Sequence, residues 1–552
     1  GMAMFLGIDV GGTFTDAVAV SKGRLLGSHK VPTTHGDLLQ GILAAIDSLL
    51  QAADEAVERV SLSTTVVTNS LVEGKIDPVG FFVMPGPGLD ILPLLPAKAI
   101  VLPGYIDHRG RESGRLVMKD LTTTVGREFP DRQVFAVSGK FAVRNPQHEN
   151  SLARGLAAIA GVRHVTRGGS MAGSLNFLRR TNTAYFNAAV WRRFGQFASA
   201  VEGALAARNI AAPVHILKAD GGTLPLAAAR ERPVEAIFTG PAASVLGIMA
   251  LCRPEGDAVS LDIGGTTTDI ALWRDGNPLI AGQGAMAGAY PTAVRSFWLH
   301  SVGVGGDSYV RRENDILRIG PERKGSAMAL GGEYPALADA LVVSGRAAFG
   351  EIGRAYEAMR QVALPGRTAE ETAAEVIRAA VTIIGDCVRH MIRVYDDQPV
   401  YTVSDLMHSR EFVPASLVGV GGTSAALASV VAESLGTSCV VPREAAVANA
   451  LGAALARPTT DITVRVDTDE GYVSVAELGL RESLPRRNMN MADVRSLAAQ
   501  YLASRSRESG ITFDHSETMY EEEFTLVRGF SAMGKIMTCR QQVKPGVMVY
   551  VR

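Results

Sequence analysis

Apolar and polar positions alternate along this chain in two stretches that read almost alike. Residues 8–17 run Ile8, Asp9, Val10, Gly11, Gly12, Thr13, Phe14, Thr15, Asp16, Ala17. Residues 261–270 run Leu261, Asp262, Ile263, Gly264, Gly265, Thr266, Thr267, Thr268, Asp269, Ile270. Each reads as an apolar strand carrying one carboxylate, a Gly-Gly-Thr tip, and a second strand that leaves past another carboxylate. Alternation then resumes at Val18 and Val20, and at Ala271 and Trp273. The pattern predicts a β-hairpin in each place. Its recurrence predicts an internal duplication.

Other periodicities fill in the rest. A third strand is expected at 24–31. Leu38, Leu39, Ile42, Ala45, Ile46 and Leu49 have helical spacing within 36–53. A strand at 60–63, a helix at 64–73 and a strand at 79–84 follow. Residues 85–150 are irregular and rich in Pro and Gly, and read as an insertion with small elements of its own. A long helix is expected at 179–207, a strand at 214–217 and a helix start at Thr239. In the second half a third strand is expected at 277–281. Thr368 and Glu371 have capping-box spacing at the start of a long helix, 368–395. A strand at 416–420 enters Gly421-Gly422-Thr423-Ser424 and leads to a helix at 425–435. A small-residue helix, 444–456, is expected to pack back on the first half. Beyond Arg457-Pro458, strands are expected at 462–466, 472–476, 524–527, 535–539 and 547–551, with a helix at 491–508. The fold class is α/β with two related half-domains. They span 2–240, with the insertion at about 86–150, and 241–456; a small α+β domain covers 457–552.

Composition narrows the classes. The 552 residues are too many for one core. At 47% hydrophobic and 20% charged the chain is ordinarily globular. A net charge of −1 gives no reason to expect nucleic acid. Cys252, Cys387, Cys439 and Cys539 are far apart and show no metal-ligand spacing, so they read as buried free thiols in a reducing cytoplasm. Asp9 and Asp16 interrupt the apolar N-terminus, which has no basic leader, and Gly1 before Met2 reads as an expression scar. The uncharged run 414–432 contains Ser416, Thr423, Ser424 and Ser429 and reads as buried strand, turn and helix. No membrane partner is expected.

The tips carry the candidate chemistry. Gly11, Gly12, Gly264 and Gly265 let backbone approach a ligand closely. N–H groups in such turns favour anions. The hydroxyls of Thr13, Thr15, Thr266, Thr267 and Thr268 offer further donors. Asp9 and Asp262 stand at the strand ends, and carboxylates beside phosphates call for a cation between them, Mg²⁺ with retained waters. Two facing loops would then hold a nucleotide's phosphates from both sides. Secondary candidates remain open. The start at Thr239 reads as an anion site or a plain capped helix. Gly305 and Gly306 read as a nucleotide-side or substrate-side loop, since the G-x-G-x-x-G spacing of a dinucleotide fingerprint is missing. Gly421 and Gly422 read as a contact to adenine or ribose, or as a simple turn. The loop 104–110 is a surface turn unless it has a functional role.

The paired hairpins resemble the phosphate loops of the actin, Hsp70 and sugar-kinase superfamily. With Ser63-Thr64-Thr65, Asp220-Gly221-Gly222, 239–244, 301–306 and Gly421-Gly422 in this order, the chain is similar to the ATP-using first subunit of the hydantoinase/oxoprolinase family. The resemblance implies two actin-like (ribonuclease H-like) half-domains, with ATP and Mg²⁺ as cofactors. It implies an activity: opening a cyclic amide, such as a hydantoin or 5-oxoproline, by phosphorylating its carbonyl oxygen. Asp9 and Asp262 would hold the metal's waters, and Asp16 or Asp269 would orient or deprotonate a nucleophile, or simply hydrogen-bond. A second hydrolase subunit is the expected partner, and self-association is left open. An ATPase that reactivates a partner enzyme and a small-molecule kinase are the competing functions.

Overall fold

Both hairpins form, and in the same register. Asp9 pairs with Asp16 across the first and Asp262 with Asp269 across the second. The computed structural model describes residues 3–34, 36–52, 56–88, 90–398, 411–422 and 425–552. Gly1, Met2, Ala53, Thr423 and Ser424, named in the sequence reading, lie outside the described residues.

The first sheet runs in the order Thr223–Pro225, Val214–Leu217, Ala56–Ser63, Ala3–Val10, Phe14–Ser21, Arg24–Pro32. The sheet of the second half runs Asn277–Pro278, Thr268–Arg274, Ala258–Ile263, Ser416–Val420, Ser438–Val440. In each, a later strand lies parallel to the hairpin's first strand on its far side. The duplication is therefore one of topology as well as of motif, and the fold is actin-like. Leu6, Ile8, Val18 and Val20, and Leu261, Ile270, Leu272 and Trp273, are fully buried. Each such side chain contributes about 2 kcal/mol, so the strands are anchored behind their polar tips.

Three expectations need correction. The third strand at 277–281 shrinks to Asn277–Pro278, and Leu299–Val302 takes the rest of that edge, pairing Asp269 with Ser301. Pro278 lacks the N–H that a longer strand would need. The strand expected at 79–84 forms, and it belongs to a separate sheet. Val79–Met84 pairs with Val134–Gly139, Ile100–Val101 lies on its other side, and His164–Arg167 completes a four-stranded parallel sheet. The segment read as an insertion is thus woven into strands on both sides of it. Finally, residues 547–551 are not a strand of the C-terminal sheet. The tail crosses back over both halves: Met548 N–H donates to Leu455 O, Val551 N–H to Ala250 O and Arg552 N–H to Gly23 O. Its alternation is satisfied by lobe surfaces.

The C-terminal sheet, order Leu480–Ser483, Tyr472–Val475, Asp461–Asp467, Ser531–Gln542, Glu517–Arg528, backs onto the helix Met491–Ser509. The loop 104–110 docks there. Arg109 pairs with Asp467 at 2.8 Å, and Tyr472 Oη donates to Arg109 O at 2.8 Å. All four cysteines are free, Cys539 buried and the others half-buried. Among the described residues no helix is long and apolar enough to cross a membrane.

Two helices cross between the halves, Thr239–Cys252 and Ala448–Leu455. They meet backbone to backbone: a Cβ on Gly247 would lie 1.9 Å from Ala448 O, and one on Gly452 would lie 1.9 Å from Ala243 O. The second helix also presses on the first hairpin, as expected for 444–456, because a Cβ on Gly7 would lie 2.3 Å from Ala450 O. Backbone cannot retreat as a flexible side chain can. Gly452→Ala should therefore cost about 3 kcal/mol, read as a lower urea midpoint, whereas Ala453→Gly should cost about 1 kcal/mol. Equal effects would mean that the helices have room to part.

Candidate active site

The structure gathers the four hairpin carboxylates beneath the two tips. Gly12, Thr13, Gly264 and Thr266 are exposed, while Asp9 and Asp16 are buried and Asp262 and Asp269 half-buried. The tips are built identically: Gly11 N–H donates to Phe14 O and Gly264 N–H to Thr267 O, both at 2.9 Å. Thr267 is half-buried at the second tip.

Each aspartate at a strand end is held by one of the two cross-helices. Asn449, on the second cross-helix, donates through Nδ2 to Asp9 Oδ2 at 2.5 Å and to Asp16 Oδ2 at 3.1 Å. Ser244, on the first cross-helix, donates to Asp262 Oδ2. The helix start at Thr239 is tied to the first half, since Ser63 Oγ donates to Thr239 Oγ1 at 2.9 Å and Thr239 Oγ1 to Thr64 O at 3.1 Å. With the Ser63 proton so committed, Asp9 Oδ1 is buried without a donor. Lys30 Nζ stands 2.5 Å from Asp16 Oδ1.

Burial pushes the Asp9 carboxyl up to about 7, opposed by the Asn449 hydrogen bond and reinforced by Asp16 and Asp262. Burial likewise raises Asp262, opposed by Ser244 and reinforced by Asp16. Asp269 is raised by burial and by Asp262, with Ser301 opposing. Asp9 and Asp16 of the first hairpin are thus near enough to Asp262 of the second to act on one another.

Several candidates turn inward. Thr15 is buried and bonds Thr33 at 3.2 Å, whose hydroxyl donates to Gly11 O. Thr268 Oγ1 donates to Val304 O at 2.7 Å. Both hydroxyls brace a tip rather than face the cleft, because each lies on the pleat side covered by a neighbouring loop. Gly305 and Gly306 are buried under the second tip, where Gly306 N–H donates to Gly264 O and Asp307 N–H to Gly265 O. Gly421 (φ +114°) lies against Ile263, and a Cβ there would stand 2.3 Å from Ile263 O; beside it, Gly422 faces open space.

Asn449, Ser244 and Lys30 were missed in the sequence. A signal existed for two of them: Ala243-Ser244-Val245-Leu246-Gly247 and Ala448-Asn449-Ala450-Leu451-Gly452 are a second internal repeat. A roomier cleft, about 280 Å³ between His164, Arg167, Arg232 and Arg505, shares no residue with the tips. Arg167 and Arg505 are already bonded there to Asn150 and Asp461.

Residues 180–462 match the model of the hydantoinase/oxoprolinase family, and residues 5–159 match that of its N-terminal region. The chain belongs to the hydantoinase/oxoprolinase family. Within that family it is 27% identical to caprolactamase subunit alpha of Pseudomonas jessenii over 541 residues, 88% of this chain and 76% of the relative. It is 25% identical to the acetophenone carboxylase gamma subunit of Aromatoleum aromaticum over 468 residues, 74% of this chain and 62% of the relative. Its fold is similar to that of ATP-dependent caprolactamase from Pseudomonas jessenii (TM-score 0.72, 20% identity, 97% of this chain and 87% of that one). It is also similar to nucleotide-free acetone carboxylase (TM-score 0.68, 18% identity, 99% and 88%).

The raised Asp9 carboxyl makes stability depend on pH. Between the ordinary 3.8 and about 7 the folded chain keeps a proton that the unfolded chain has lost. Stability at this group is full below 3.8, falls as pH rises, and by pH 8 is lower by about 4 kcal/mol at most. Asp9→Asn should therefore raise the unfolding free energy at pH 8 by about 2 kcal/mol, read as a higher urea midpoint, and much less at pH 4. A gain independent of pH would show that Asp9 ionises in the ordinary range.

Proposed function

We propose that the cleft between the hairpins binds Mg²⁺-ATP, and that the chain is the ATP-using subunit of an enzyme acting on a cyclic amide or related carbonyl compound. The observation that supports this most is the gathering of four carboxylates under two exposed glycine tips. Buried like charges without a cation are costly, and Asp9 Oδ1 has no donor. That vacant acceptor suits a water of a hydrated divalent cation. Among the described residues no three His, Cys, Asp or Glu side chains stand close enough to encage a metal. Mg²⁺ kept in its own waters and on phosphate oxygens, touching Asp9 and Asp262 through those waters, fits this donor set.

The nucleotide, when bound, supplies a phosphoryl group that makes an amide carbonyl carbon electrophilic. The protein's own part is positioning and charge. The tips, with Thr13, Thr266 and Thr267, would orient the phosphates. Asn449 and Ser244 would hold Asp9 and Asp262 at a fixed separation. Of the two carboxylates past the tips, Asp269, raised by burial, is the better suited to accept a proton. Asp16, tied to Lys30, is the better suited to orient. The relatives named as subunits, of a caprolactamase and of an acetophenone carboxylase, support an amide or ketone substrate and a second subunit.

The test is ATP turnover with Mg²⁺ against lactams, hydantoins and ketones, with and without the partner subunit. Turnover should rise with at least one such carbonyl compound, and Asp262→Asn should lower it by about 100-fold or more. Stimulation by a protein partner alone would instead mark a reactivating ATPase. Release of a stable phosphorylated product would mark a kinase.

A further inference from the structure

We propose that Lys30 and Arg323 are a pair of phosphate-contacting cations, one beside each hairpin, parked on carboxylates until a nucleotide enters. The proposal rests on the reading that the cleft binds Mg²⁺-ATP and deepens it.

Lys30 lies opposite Asp16 in the register of the first sheet. Its ammonium is 2.5 Å from Asp16 Oδ1 and 5.1 Å from the Phe14 ring centroid. The Lys30 side chain is 42% exposed while Asp16 is 7% exposed, so the cation sits at the rim, between buried acid and open cleft. Its field reaches across to Asp262 of the other half.

Arg323 repeats this on the second side by different means. It ends the strand Ile316–Arg323, and its Nε donates to Asp307 Oδ2 at 3.1 Å. Asp307 is itself fastened to the second tip, its N–H donating to Gly265 O at 2.7 Å. A Cβ on Gly265 would stand 2.9 Å from Asp307 Oδ2. The guanidinium is thus one carboxylate away from the tip, and among the described residues Nε makes its hydrogen bond to protein. The forked terminal nitrogens can meet two phosphate oxygens at once, whereas Lys30 offers a point charge.

Charge supplies the reason for both. Four carboxylates face the cleft, and a triphosphate adds several negative charges at close range. One divalent ion does not balance that in a partly desolvated space. Cations already at the rim can turn to the phosphates without any rearrangement of backbone.

The experiment measures Mg²⁺-ATP affinity and the unfolding midpoint of the nucleotide-free protein for Lys30→Met, Lys30→Arg, Arg323→Met and Arg323→Lys. The methionine variants should each weaken Mg²⁺-ATP by about tenfold or more, and the charge-keeping variants should recover most of that. This pattern should hold whichever way the midpoints move. Methionine and charge-keeping variants equally weak, or methionine variants within about twofold of wild type, would overturn the proposal. If the wild-type protein binds no Mg²⁺-ATP, the nucleotide reading fails and takes this one with it. If it binds and the variants bind as well, the cation assignment alone fails.

Discussion

Everything at this site depends on the crossing of two helices between the halves. The helix Thr239–Cys252 carries Ser244 to Asp262. The helix that closes the second half carries Asn449 to the first half's Asp9. The crossing works because the two helices touch at glycine, with Gly247 on Ala448 and Gly452 on Ala243. Larger side chains there would hold the helices apart and withdraw both polar groups from their carboxylates. Small residues at the crossing set the distance between the hairpins, and that distance sets how strongly the four acids perturb one another.

That perturbation has an energetic meaning. Asp9, Asp262 and Asp269 are all raised, chiefly because burial disfavours their charged forms. Ionising any of them in the folded protein is therefore unfavourable. A ligand that brings a cation and takes up that charge stabilises the folded state by its differential affinity for it. Packing elsewhere offsets the cost: the strands behind the tips are fully buried at Leu6, Ile8, Leu261 and Ile270.

The hairpins were legible in the sequence because they are local. A strand, a glycine tip and a strand can be read from ten consecutive residues, and two copies confirm each other. The long helix Ala369–Asp396 was legible for the same reason, with Thr368 accepting from Glu371 N–H as its spacing suggested. What could not be read was set by register and by distant contacts. Lys30 is one polar residue on an exposed strand until pairing places it opposite Asp16. Thr15 and Thr268 look like ligand donors until Thr33 and Val304 are seen to claim them. Residues 547–551 alternate like a strand, but their neighbours are Leu455, Ala250 and Gly23. The cross-helices were expected as helices, but a run of Ala and Gly does not show that its Ser244 or Asn449 meets a carboxylate.

The duplication also shows where the halves have parted. Past the first tip Asp16 meets an ammonium, Lys30. Past the second, Asp269 meets a hydroxyl, Ser301, which stands at the register position of Lys30. The difference follows from how each edge is completed. The first hairpin is extended by a continuous strand, Arg24–Pro32, that reaches the tip and can carry a long side chain there. The second is extended by Asn277–Pro278, which stops short, and then by Leu299–Val302, which runs on into the loop holding Gly305, Gly306 and Asp307. That loop brings a carboxylate to the second tip, and Arg323 comes to the carboxylate from a separate hairpin. Two copies of one motif thus meet positive charge by unrelated routes, an ammonium on the sheet's own edge strand at one and a guanidinium from a separate hairpin at the other.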